Sequence, residues 1–235
     1  MTKFKFLLFL ALLLGFVATA YAGFDEGMAA YDRGDYAKAY QEFKALADQG
    51  DAEAQSALGM MYEYGEGVSK DYAEALKWFR KAAEQGDDEA QFELGWAYAE
   101  GSSAPQDYAK AAKWYRKAAE QGFAPAQREL GGLYASGQGV TQDYAKAVKW
   151  RRKAAEQGDD VAQFELGWAY ADGNSVPQDF IQAYMWFDLA AAHVNDTYAE
   201  DYAKDFKDSL AEKMTPAQIA EAQRLARKWK PKSRD

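Results

Sequence analysis

An aspartate followed by an aromatic residue returns every 36 residues along this chain, at Asp35-Tyr36, Asp71-Tyr72, Asp107-Tyr108, Asp143-Tyr144 and Asp179-Phe180. Other pairs recur in phase. Gln-Gly stands at Gln49-Gly50, Gln85-Gly86, Gln121-Gly122 and Gln157-Gly158, and Leu-Gly at Leu58-Gly59, Leu94-Gly95, Leu130-Gly131 and Leu166-Gly167. Tyr62, Tyr98, Tyr134 and Tyr170 follow three residues after each of those last glycines. Such self-similarity marks a stack of small units, each unable to bury its apolar face alone.

Each unit reads as two helices. The aspartate of the Asp-aromatic pair is a good N-cap, because its carboxylate accepts from the open N–H groups of the first turn. In helix A, Tyr72, Ala75, Leu76, Phe79, Ala82 and Ala83 share a face by the i, i+3, i+4 rule. Gly86 then ends the helix as a left-handed cap. In helix B, Ala90, Gln91, Leu94, Gly95 and Tyr98 share a face, and Gly101 ends it. A glycine inside a helix costs about 1 kcal/mol relative to alanine. Its recurrence at Gly59, Gly95, Gly131 and Gly167 therefore predicts a close approach of two helix backbones. The proline-bearing connectors 102–106 and 174–178 suit turns between helices.

The expected architecture is all-α, a right-handed superhelical solenoid of stacked helix-turn-helix repeats with capping helices at both ends. Four full units span 35–178 and a partial unit begins at 179. The solenoid takes in 23–195, and 196–235 forms a C-terminal helical cap and basic tail. Met28, Ala29 and Tyr31 are expected to cover the first unit. At the other end Tyr198 to Lys213 reads as a helix. Thr215-Pro216-Ala217-Gln218 then opens a last one with a capping box, and Ile219, Ala222, Leu225, Ala226 and Trp229 line a face of it. Residues beyond that helix read as a frayed tail.

The pattern Ala-x-x-Trp-Phe-x-x-Ala-Ala-x-x-Gly from Ala75 to Gly86, followed by Ala-Gln-x-x-Leu-Gly-x-x-Tyr-x-x-Gly from Ala90 to Gly101, resembles the Sel-one-like repeat. That family is a branch of the tetratricopeptide-like solenoids, and the resemblance runs from Asp35 to about Ala192. It implies an exported or periplasmic adaptor that binds other proteins, in some members regulating envelope signalling or polysaccharide production. A cysteine-rich subgroup is linked with β-lactam binding, and this chain departs from it by having no cysteine.

Lys3 and Lys5, the apolar run Phe6 to Val17 and the small-x-small end Ala20-Tyr21-Ala22 form a secretory signal pattern, with cleavage expected before Gly23 and Ala18-x-Ala20 as a second site. The run is shorter than the ~20 residues that span a bilayer. The whole chain has 28 basic and 37 acidic side chains, a net charge of −9. That balance argues against nucleic-acid binding.

No metal, cofactor or catalytic constellation is expected. The absence of cysteine removes disulfides, thiolate metal sites and thiol nucleophiles, and the one histidine, His193, excludes HExxH. GxxxxGK[ST], GxGxxG, SxxK and GxSxG do not occur. Asp87-Asp88 and Asp159-Asp160 fit the start of helix B, where acids favour the positive dipole end. Asn195-Asp196-Thr197 matches a glycosylation acceptor by pattern only.

Chemistry then falls to surfaces. Helix A carries a basic outer face with Lys77, Arg80 and Lys81, then Lys110, Lys113, Arg116 and Lys117, then Lys146, Lys149, Arg152 and Lys153. It reads either as a strip that steers an acidic peptide or an envelope polysaccharide, or as a solvated face neutralised by Glu84, Glu120 and Glu156 at i+4 from each arginine. Trp78, Trp114, Trp150 and Trp186 share one position about 100° from the core stripe and read as inter-repeat packing. Arg151 stands where Phe79, Tyr115 and Phe187 stand, as a packing defect or a guanidinium lying on a ring. On helix B, Phe92 with Trp96 and Phe164 with Trp168 are i, i+4 pairs, whereas Ser56 with Met60 and Arg128 with Gly132 hold the same positions elsewhere. The aromatic pairs read either as a contact patch for a protein partner or as rings covered by a neighbouring repeat. Phe92, Trp96, Phe164, Trp168, Lys113, Arg116, Lys149, Arg151 and Arg152 are thus the candidate protein-binding residues of a non-enzymatic envelope adaptor. The alternatives are a periplasmic hydrolase or β-lactam- or cell-wall-binding protein, and a glycan-binding module.

Overall fold

The computed structural model describes residues 23–101, 103–193 and 197–233. The expected signal at 1–22 lies outside them, as do Asn195 and Asp196. The assigned elements among these residues are all helices: α1 (23–32), α2 (Tyr36–Ala47), α3 (Ala52–Tyr64), α4 (Tyr72–Gln85), α5 (Asp88–Glu100), α6 (Tyr108–Glu120), α7 (Ala124–Ser136), α8 (Tyr144–Gln157), α9 (Asp160–Asp172), α10 (Phe180–His193), α11 (Thr197–Ala211) and α12 (Pro216–Lys228). Two compact units meet at Pro105 and Gln106. In the first, α2, α3, α4 and α5 pack in chain order. In the second, α6 to α10 do the same, and α11 and α12 close onto α10.

The caps explain the helix bounds. Asp35, Asp71, Asp107 and Asp143 each accept from a first-turn N–H of helix A. Asp51, Asp87 and Asp159 do the same for helix B. The paired acids at 87–88 and 159–160 are therefore helix starts, as their position predicts. At α7 the cap is Phe123, which has no side-chain acceptor, and Pro125 supplies the fixed φ instead. Gly86 and Gly158 are left-handed C-caps with φ of 107° and 100°.

The in-phase Ala-Gln pair has a structural purpose that its spacing does not announce. Gln55, Gln91, Gln127 and Gln163 are buried, and each donates through Nε2 to a carbonyl at the end of the preceding helix A: Ala47, Ala83, Ala119 and Ala155, all at 3.1 Å. Each of these carbonyls also accepts the N–H of the glycine three residues on, Gly50, Gly86, Gly122 or Gly158, at 3.1 to 3.2 Å, so the amide fills its second acceptor site and ties the following helix to that end. The Gln-Gly glutamines continue the chain. Gln85 donates to Gln55 and Gln157 donates to Gln127, both at 2.9 Å.

The helix-B glycines meet a ring rather than the backbone expected from the sequence. A Cβ on Gly59 would lie 2.5 Å from the Phe79 ring, and one on Gly167 would lie 2.9 Å from Phe187. At Gly131, where Arg151 stands in place of the ring, the nearest atoms are Arg151 Cγ at 2.9 Å and the Ala147 carbonyl oxygen at 3.1 Å. The glycine is the socket and the helix-A aromatic is its knob.

Trp78 and Trp186, placed on the flank by helical angle, are 5% exposed and belong to the core. Trp78 packs with Phe43, Leu46 and Met61, and Trp186 with Leu166, Leu189 and Ala226. At the first end, α1 covers the stack with Gly27 and Ala30, while Met28 and Ala29 are exposed, one helical step from the expected face. At the other end Thr215 forms the expected capping box. The tail, however, is seated. Lys232 donates its backbone N–H to the Glu156 carbonyl at 2.8 Å and its Nζ to Glu156 Oε2 at 2.7 Å.

Candidate functional site

On the helix-A face the arginines do not turn to the glutamates one turn on. Arg80 donates to Tyr98 Oη at 3.5 Å, Arg116 to Tyr134 Oη at 3.1 Å, and Arg152 to Tyr170 Oη. Each is a brace between the two helices of one repeat, and each spans 18 residues. That phase-locked spacing was present in the sequence as a signal. Lys81, Lys117 and Lys153 lie over Trp78, Trp114 and Trp150, with Nζ 3.8, 4.3 and 5.1 Å from the ring centroids. Lys77 pairs with Glu74, Lys110 with Asp107 and Lys146 with Asp143 within their own first turns. Lys113 and Lys149 remain exposed. The strip is therefore largely tied into the repeats, with these two lysines presented outward.

On the helix-B face the two aromatic pairs, one in each unit, share a pattern. Trp96 and Trp168 are 40% and 42% exposed, while Phe92 and Phe164 are half-buried. Phe164 sits among Phe187, Tyr202 and Phe206 at centroid distances of 5.3, 6.3 and 5.9 Å. Trp168 lies tilted against Phe206, with ring centroids 4.5 Å apart. Helix α11 thus supplies part of the cover expected from a neighbouring repeat and leaves one indole edge open. Around Trp96, the Glu63 and Glu93 carboxyls share a small lining with Tyr72 and Phe79. Burial, with the charges of Glu63 and Glu89, pushes Glu93 up to about 7.

The second unit also carries a charged cluster. Arg151 is not on a ring, as one reading of the sequence had it. It donates to Glu165 Oε1 at 2.9 Å, while Arg128 reaches Glu129 at 3.0 Å and Asp159 at 3.3 Å. Burial pushes the carboxyls of Glu165 and Asp159 up, against the pull of Arg151 and Arg128 respectively. A Cβ on Gly132 would meet nothing within 4 Å. Where the third repeat meets helix A of the fourth, residues 128, 132 and 151 together make the contact polar rather than aromatic.

Among the described residues no group of three or more His, Asp or Glu side chains is placed to hold a metal ion, and no helix is long and apolar enough to cross a membrane. The fold and these faces define the class: an all-α helical-repeat protein whose distinctive chemistry is spread over helix faces.

The chain belongs to the Sel1 repeat family, whose sequence profile matches residues 52–87, 88–123, 124–159 and 160–195. Sel1 repeats generally mediate protein–protein interaction, and proteins built from them are generally non-catalytic scaffolds. Among solved structures the chain is similar to a protective antigen of uropathogenic Escherichia coli strains displaying an SLR fold, at 36% identity and a TM-score of 0.73 over 88% of this chain. It spans 45% of that protein's length. A Sel1 repeat protein from Oxalobacter formigenes is similar at 31% identity and the same TM-score of 0.73, over 88% of this chain and 82% of that one. A Klebsiella pneumoniae protein described as a putative sel1 repeat protein shares the fold at 22% identity and a TM-score of 0.52, over 82% of this chain and 93% of that one. No curated protein matches the chain.

Proposed function

We propose that this chain is an exported adaptor that binds a partner protein in the cell envelope, with Trp96 and Trp168 as its aromatic contacts. The observation that carries this reading is the exposure of both indoles, 40% and 42%, at a register where Met60 and Gly132 stand in other repeats. Solvent-facing tryptophans anchored by a half-buried phenylalanine one turn earlier have the character of interface anchors. Lys113 and Lys149 are exposed on helix A and supply a cationic element that favours an acidic partner segment. The signal pattern at 1–22 supports export, and similarity to a protein described as a protective antigen is in keeping with it.

In-cell crosslinking and pull-down of the tagged protein, followed by mass spectrometry, tests the reading. The expected result is one reproducible partner that is lost in the Trp96→Ala/Trp168→Ala variant. A partner retained by that variant but lost in Lys113→Glu/Lys149→Glu would move the contact to helix A. Recovery of no partner at all would sink the adaptor reading.

A further inference from the structure

The segment after α12 lies against the end of α8 with a backbone hydrogen bond of its own. Trp229 leaves the helix with extended backbone, φ −66° and ψ 143°, and Pro231 holds the chain extended beyond it. Three contacts seat it. The Lys232 N–H donates to the Glu156 carbonyl at 2.8 Å, and Lys232 Nζ pairs with Glu156 Oε2 at 2.7 Å. Gly158 leaves room for the chain above it, since a Cβ there would touch Pro231 and Trp229 at 3.7 and 3.8 Å.

The place has a physical logic. The end of α8 presents open carbonyls and the negative end of the helix dipole, and Glu156 adds a full charge in the same turn. A lysine with a free backbone N–H meets both. Lys232 and Ser233 border a cavity of about 190 Å³ whose other walls include Glu120, Gln127, Glu156 and Gln157, with Lys153 beside them. Glu120 holds the position in α6 that Glu156 holds in α8. The preceding repeat thus offers the same negative helix end, and its Glu120 is exposed.

We propose that this groove, along the C-terminal ends of α6 and α8, is a binding site for an extended lysine-bearing peptide, and that the chain's own segment Trp229–Ser233 occupies it in the free protein. The site is separate from the helix-B tryptophans and does not depend on them. Tethered directly to α12, the tail competes at an effective concentration on the order of millimolar. A basic segment of a partner gains the groove when the tail is displaced.

The test uses the full chain and an N-terminally fluorescein-labelled Lys-Pro-Lys-Ser peptide, followed by anisotropy up to about 1 mM, the scale of the tether. Lys232→Glu releases residues 230–233, while Trp229 keeps its packing against Trp186. This variant is expected to bind the probe at least tenfold more tightly than the unaltered chain. Adding Glu156→Lys to it removes the binding, and circular dichroism melts confirm that both variants remain folded. Amide exchange reports the cis contact directly: the Lys232 N–H is protected in the unaltered chain. Equal binding by the unaltered and Lys232→Glu chains overturns the proposal, as does binding by neither, binding that survives Glu156→Lys, or an unprotected Lys232 amide. The assay involves no cellular partner, so its failure leaves the reading of Trp96 and Trp168 standing.

Discussion

Arg151 donates to Glu165 at 2.9 Å from the position where Phe79 and Phe187 plug the glycine sockets of the preceding repeats. The Arg151 Nε and Glu165 Oε2 atoms are buried without a hydrogen-bond partner in the structure. A buried ion pair with such loose ends is a weak source of stability, yet removing one member strands the other. Arg151→Phe is therefore expected to destabilise the protein by about 1–3 kcal/mol. Arg151→Phe/Glu165→Leu should return to within about 1 kcal/mol of the starting chain or exceed it. Chemical denaturation of the two single variants and the double variant measures the coupling, and an additive result would show that the pair does not interact.

The glycine sockets oppose helix propensity. Gly59→Ala gains about 1 kcal/mol of intrinsic propensity. It also drives a methyl to 2.5 Å from the Phe79 ring, an overlap that must be relieved by moving the ring or the helix. Overpacking of this kind costs about 1–3 kcal/mol, so the substitution should be net neutral to destabilising. In Gly59→Ala/Phe79→Leu, where the smaller knob leaves room, alanine should instead become the better residue. Thermal melts of the four chains decide it.

Gln127 has two tasks, donating to the Ala119 carbonyl and accepting from Gln157. Gln127→Leu keeps the bulk and abandons both. The Ala119 carbonyl keeps the Gly122 N–H, so the loss of its second bond together with the Gln157 bond should cost about 1–2 kcal/mol. Gln157→Leu removes only the outer bond and should cost less than half as much. Reversal of that order in denaturant titrations would contradict the assignment of the carbonyl bond as the dominant one.

Glu93 introduces a pH dependence of definite sign. Its folded carboxyl titrates at about 7, above the ordinary 4.5, chiefly because of burial and then the neighbouring acids Glu63 and Glu89. Between those values the folded chain holds a proton that the unfolded chain has lost, so stability falls as pH rises through this window. Glu93→Gln removes the term. The variant should match the unaltered chain near pH 4 and exceed it by about 1–3 kcal/mol at pH 8. A variant equally stable at both ends relative to the unaltered chain would place Glu93 in water.

Much of the fold was legible because its rules are local. Asp71 caps α4 through N–H groups two and three residues away, and Gly86 ends the same helix by a left-handed turn that a side chain disfavours. The 36-residue period then placed each helix of the repeat. The surfaces were less legible. Helical angle placed Trp78 on a flank, but the α2 and α3 side chains reach around and bury it. It placed Phe164 and Trp168 together, but Phe164 is enclosed by Phe187, Tyr202 and Phe206 while Trp168 has Phe206 on one side and stays 42% exposed. The face of α1 was misjudged by a step because one short helix gives little periodicity to fit.

By itself the sequence determined the repeat, its helices, their caps and the family, since these depend on contacts within about four residues and on recurrence. Only the tertiary structure decided which side chains meet across helices. The Arg116–Tyr134 brace spans 18 residues, the Gln85–Gln55 bond 30, and the Lys232–Glu156 contact 76. Such partners are chosen by how neighbouring helices stack, and a side chain on a flank is buried or open according to which neighbour arrives.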